Sequence, residues 1–160
     1  LNNKSLGKQE LSKTVGHIFK WAVPYKNGSI VAKGTKNGEL IETRVVTASK
    51  PSMVVLTADS KSMKANNEDV VHIVAELVDH KGNPVKYEDK EIVFTVEGDA
   101  KILGVDSGWK NSTEKFQSNK GTTHNGKILL IVQAKDKAGL VNVIANGEGL
   151  NGDTIQLSIN

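Results

Sequence analysis

Val70-Val71-His72-Ile73-Val74-Ala75-Glu76-Leu77-Val78, followed by the breaker His80-Lys81-Gly82-Asn83-Pro84, decides the fold. Successive side chains of a strand point to opposite faces. Val71, Ile73, Ala75 and Leu77 therefore share one wholly apolar face, which is expected to point inward. Val70, His72, Val74, Glu76 and Val78 share the other. Downstream, residues 91–96, 100–105, 127–134, 140–146 and 154–159 read as further strands, and 53–58 reads as one upstream. Breaks containing Gly separate most of them. No stretch carries a sustained helical period with caps.

Further upstream, His17-Ile18-Phe19-Lys20-Trp21-Ala22-Val23 alternates, with Phe19 and Trp21 in its apolar set, so Trp21 is expected in a core. Residues 29–35 and 40–47 also read as strands, set off by Asn27-Gly28 and Asn37-Gly38. Asn-Gly marks a tight hairpin, because both residues tolerate a positive φ. Leu1 to Gly7 reads as the tail of one strand, a turn and the start of the next. Lys50-Pro51-Ser52 interrupts the series, since Pro cannot donate to a ladder. About seven strands after that break make one full immunoglobulin-like domain, whereas the segment before it supplies too few. The expectation is an all-β chain of two tandem immunoglobulin-like β-sandwiches: residues 1–49, incomplete, and residues 50–160, complete. The chain opens at Leu1 with neither Met nor leader, which suggests a fragment cut inside a domain.

The 160 residues are 38% hydrophobic and 24% charged, a globular balance. No run approaches the roughly 20 apolar residues of a membrane helix, so no membrane partner is expected. The absence of Cys removes disulfides, thiolate nucleophiles and zinc ribbons together. The net charge is +3, but Arg44 is the single arginine and the lysines are scattered among acids. Nucleic-acid recognition favours Arg and basic clusters interleaved with aromatics, so none is expected.

Catalytic chemistry finds little support. Glu68-Asp69 and Glu88-Asp89 are adjacent pairs, and neighbours in a strand point apart, so neither is a natural glycosidase dyad. His17, His72, His80 and His124 show no metal-ligand spacing. No nucleophile elbow, P-loop or dinucleotide fingerprint occurs. No catalytic residue, metal site or cofactor is therefore expected. One polar segment, residues 106–126, is long for a structureless loop in a compact domain. Within it, Asp106-Ser107-Gly108-Trp109-Lys110-Asn111-Ser112 combines a flat apolar ring with hydrogen-bonding groups. Trp109 suits stacking on the C–H face of a sugar, with Asp106 and Asn111 reaching hydroxyls. The more usual fate of such a ring is to fold back on the sandwich or to pack on a neighbouring domain.

Several stretches resemble a known family. Asn3-Lys4-Ser5-Leu6-Gly7, Trp21-Ala22-Val23-Pro24-Tyr25 and Gly28-Ser29-Ile30-Val31-Ala32 look like the pattern of a sandwich domain that follows the catalytic barrel of bacterial glycoside hydrolase family 2 β-galactosidases. Leu56-Thr57-Ala58-Asp59, Gly82-Asn83-Pro84-Val85, Val93-Phe94-Thr95-Val96, Ile102-Leu103-Gly104-Val105 and Asn125-Gly126 are similar to that family's C-terminal immunoglobulin-like module. Asn3 replaces a usual Gly, Lys26-Asn27-Gly28 lacks a usual Pro, and Trp109 stands about where Asp is common. The family's two catalytic glutamates lie in its barrel, and no position here matches their motifs.

The resemblance implies a non-catalytic accessory region of a retaining β-glycosidase. It further implies the catalytic barrel and upstream domains as partners in the same polypeptide, homo-oligomer contacts through the parent enzyme, and a periplasmic or cell-surface location. Two other readings stay open: a carbohydrate-binding module built on Trp109, and a repeat of a bacterial surface adhesin.

Overall fold

A computed structural model describes all residues, Leu1 to Asn160. They form two compact units, Leu1–Thr47 and Ala48–Asn160.

The first unit is built on one antiparallel hairpin, β1 (Ser29–Lys36) with β2 (Glu39–Val46), in which Lys36 pairs with Glu39. Asn37 (φ 51°) and Gly38 (φ 85°) close it, as an Asn-Gly turn between right-handed strands requires. Asn2 clasps the start of β1: its amide donates to the Ser29 carbonyl and its Oδ1 accepts the Ser29 N–H, both at 2.8 Å. The expected strands before β1 are absent. Leu11–Lys13 and Val15–His17 are single 3-10 turns, and residues 18–26 are irregular. Alternation alone does not make a strand. It needs a ladder partner, and left-handed Gly16 (φ 65°) and His17 (φ 56°) break the extended run. Trp21 is accordingly not in a core but 41% exposed, its ring 6.1 Å from that of Phe19.

The second unit is a β-sandwich. Its strands are β3 (Met53–Ala58), β4 (Ser62–Met63), β5 (Val70–Val78), β6 (Glu91–Glu97), β7 (Ala100–Asp106), β8 (Lys120–Thr122), β9 (Lys127–Ala134), β10 (Gly139–Gly147) and β11 (Asp153–Ile159). One sheet runs β3-β5-β9-β7 and the other β4-β11-β10-β6-β8. All ladders are antiparallel except the short β4·β11 pairing. Val71, Ile73, Ala75 and Leu77 are buried as the alternation of β5 requires, against Leu130 and Val132 of β9 and Phe94, Val141, Val143 and Leu157 of the facing sheet. The edge strands β4 and β8 are short and lie outside the expected set. β8 occupies part of the segment read as a loop over 106–126.

Two devices adjust the sandwich. A bulge places Leu103 as an extra residue between Ile102 and Gly104 of β7, which returns Val105 to the core face opposite Leu130. Across the sheets, Asp153 Oδ2 of β11 accepts the Leu56 N–H of β3 at 2.8 Å.

Candidate functional site

Antiparallel topology gathers the end of β5, the start of β6, the end of β7 and the β8–β9 turn at one end of the sandwich. Asp106 is the last residue of β7. Its Oδ1 accepts the Gly108 N–H at 2.8 Å, and Gly108 adopts φ 72°. The chain turns there and delivers Trp109 outward. A second turn follows, in which the Ser112 N–H donates to the Trp109 carbonyl at 2.9 Å, with Lys110 and Asn111 at its tip. The side chain of Asn111 is exposed. The residues singled out by sequence thus share one double turn, with Trp109 50% exposed between Asp106 and Asn111.

Trp109 does not stand free. Its ring lies 6.0 Å from that of His124 with 20° between the planes, an offset stack. His124 is held by the turn that links β8 to β9, where its N–H donates to the Lys127 carbonyl at 2.8 Å. Asn125 (φ 52°) and Gly126 (φ 74°) form the turn. That turn is anchored inward, because the Gly126 N–H and the Thr123 hydroxyl both donate to Asp89 Oδ1. Glu114 ties the far side of the loop to β8, accepting the Thr122 hydroxyl at 2.7 Å and the Thr122 N–H at 3.0 Å. Sequence reasoning singled out Asp106, Trp109 and Asn111, which share this turn, but did not place His124 against Trp109 or Glu114 against β8. The signal that could have found His124 is Asn125-Gly126, a turn pair that marks it as turn-flanking but not as the partner of Trp109.

The cleft beneath the loop, lined by Val105, Ser112, Glu114, Phe116 and Ile128, encloses only about 10 Å³, the space of one water. No group of three His, Asp or Glu side chains is placed to hold a metal. Glu88 and Asp89 serve separate partners: Glu88 pairs with Lys90 at 3.0 Å, and Asp89 holds the β8–β9 turn.

The most heavily engaged acid is Asp79, 1% exposed at the end of β5. It accepts the backbone N–H groups of Ser49, Lys81 and Asn83, each at 2.9 Å, and the Asn83 side-chain amide. The Ser49 N–H leads in holding its carboxyl well below the usual carboxylate range. Burial opposes that shift, and the Asn83 and Lys81 donors reinforce it. Asp79 is thus a clasp that ties the 49–51 approach and the 80–84 turn to the sandwich, with no free oxygen aimed at a substrate.

Residues 54–156 match the family described as glycoside hydrolase family 2 C-terminal domain 5, and residues 1–42 match a domain of unknown function, DUF4982. The β-galactosidase BoGH2A of Bacteroides ovatus is 31% identical over 159 residues, which is 99% of this chain and 19% of that protein. A putative β-glucuronidase of Formosa agariphila is 26% identical over 110 residues, 68% of this chain and 11% of that protein. The chain therefore spans a fifth or less of the length of these two relatives. Among solved structures, a glycosyl hydrolase family 2 member from Bacteroides cellulosilyticus superposes with a TM-score of 0.88 at 32% identity, covering 98% of this chain and 22% of that one. A β-glycosidase from Bacteroides vulgatus gives 0.91 at 28%, covering 98% and 20%. The D00-D0 domain of intimin, at 15% identity and a TM-score of 0.53, shares the fold alone. On the family match across residues 54–156, and with 99% of this chain aligned to BoGH2A, the chain belongs to glycoside hydrolase family 2, as its C-terminal domain region.

Proposed function

We propose that this chain is a non-catalytic accessory region of a longer retaining hydrolase acting on β-galactosides or related β-glycosides, and that it works by docking against other domains of the same polypeptide. The use of its carboxylates supports this reading. Asp69, Asp79, Asp89, Asp153 and Glu114 each accept at least one backbone N–H and so hold turns and strands in place. A retaining glycosidase instead needs two carboxyl groups about 5–5.5 Å apart across an open cleft.

The outer face of the four-stranded sheet suits docking. The register sets Val74 beside Leu129 and His72 beside Ile131, and Val55, Val70 and Leu103 surround them with exposed apolar surface. In the first unit, Tyr25, Leu40, Ile41 and Val45 are exposed as well. A hairpin this bare supports reading residues 1–49 as the C-terminal part of a sandwich completed by other strands.

The 160-residue chain, incubated with a chromogenic β-galactoside, is expected to show no turnover. Turnover that disappears in Glu114→Gln or Asp89→Asn would overturn the reading.

A further inference from the structure

We infer that Trp109, backed by His124, is a platform for a pyranose ring, and that Asp106 and Asn111 supply its hydrogen bonds. The ligand class is a β-linked galactosyl or related glycan. The inference rests on the proposed function only for that choice of sugar.

The indole is sandwiched on one side only. His124 stacks against one part of it, while half of the residue stays open to solvent. The loop that carries it is already fixed by the Asp106–Gly108, Ser112–Trp109 and Thr122–Glu114 hydrogen bonds. A ligand stacking there finds a rigid surface and forfeits little loop entropy on binding.

The surroundings choose among ligands. Asp106, Ser107, Lys110 and Asn111 flank Trp109 along the same turn, all polar, and Asp106, Lys110 and Asn111 are exposed. A protein core docked on Trp109 would bury those groups without partners, which is costly. A pyranose presents apolar C–H groups on its face and hydroxyls around its edge, the complement of this arrangement. Asp106 spends Oδ1 on Gly108 and keeps Oδ2 for a hydroxyl, and the Asn111 amide engages no other residue of the chain. Tyr87, exposed on the adjacent 79–90 loop, offers a second aromatic at the same end for a longer glycan.

The test uses the 160-residue chain carrying Trp21→Phe, so that Trp109 is the only indole, titrated with lactose and with methyl β-galactoside by fluorescence and calorimetry. Saturable binding with a dissociation constant of about 1 mM or lower is expected. Trp109→Ala should weaken it roughly tenfold or more. Trp109→Tyr should retain part of it, and His124→Ala should weaken it with the fold intact by circular dichroism. The Tyr and His variants keep the test decisive should Trp109→Ala fail to fold. Binding that Trp109→Ala leaves unchanged, or no saturable signal at about 100 mM sugar, overturns the platform. Either failure leaves the non-catalytic reading standing, since that reading is judged by hydrolysis.

Discussion

The Ser49 amide donates to Asp79 Oδ2 at 2.9 Å, and this bond joins the residue just before Lys50-Pro51 to the residue that follows β5. With the Lys81 and Asn83 donors on Oδ1, it holds the Asp79 carboxyl well below the usual range against the opposing effect of burial.

The sign of the pH dependence follows from that depression. A carboxyl whose folded-state pKa is lowered stabilises the fold fully above its unfolded value, about 3.9. That stability is lost as pH falls from there through the folded value. Asp59 and Asp69 are depressed in the same sense. At Asp59, burial is opposed by the stronger sum of the His72 and Ser60 hydrogen bonds; at Asp69, the Asn66 amide leads. Asp79→Asn should lower stability at neutral pH and flatten the decline below about pH 4. Acid titrations of both proteins followed by circular dichroism check this. Superimposable acid limbs would remove Asp79 from the account.

Gly126 and Gly38 both sit at positive φ in Asn-Gly turns, yet their surroundings differ. A Cβ on Gly126 would collide with the Val85 carbonyl, while one on Gly38 meets nothing within 4 Å. Gly38→Ala should therefore cost only backbone strain, about 1 kcal/mol. Gly126→Ala adds displacement of the 85–89 segment and should cost on the order of 3 kcal/mol. Urea midpoints with unchanged m-values provide the comparison. Equal costs would mean the turn yields without moving Val85.

Phe94 is the largest fully buried side chain, at the centre of β6 opposite Ala145 of β10. Phe94→Ala removes an aromatic ring from a close-packed core and should cost about 3–5 kcal/mol. Phe94→Leu should cost less than half of that, since much of the volume remains. Thermal unfolding of the two variants tests the ordering.

How much of this was legible depended on whether a residue's environment is set by its neighbours in sequence. Val71, Ile73, Ala75 and Leu77 declare their face by alternation, and they are buried. Asn125-Gly126 and Asn37-Gly38 declare turns because few other pairs tolerate two positive φ angles. Residues 17–23 alternate equally well but have no ladder partner, so their pattern misleads. β8 was illegible because its three residues pair through Gly121, which carries no side-chain signal. The Leu103 bulge shifts alternation by one residue, and only the register with β9 reveals it. Trp109 stood out because a large ring is anomalous in a polar loop. His124 did not, because its stacking partner lies in a different turn.

Glu114 is the tie whose removal most directly tests whether the 107–119 loop is rigid before any ligand arrives. It takes the Thr122 hydroxyl at 2.7 Å and the Thr122 N–H at 3.0 Å. Hydrogen bonds to a charged acceptor contribute about 1.5–3 kcal/mol where shielded, and less where exposed, as here. Glu114→Ala should release the loop without unfolding the sandwich. The amides of Val105, whose N–H reaches the Phe116 carbonyl at 2.8 Å, and of Ser112 should exchange about tenfold faster. The Ile73 and Leu130 amides, in the β5–β9 ladder, should keep their protection. Trp109 emission should shift to the red as the indole leaves His124. Unchanged exchange at Val105 and Ser112 would show that the two turns alone hold the loop.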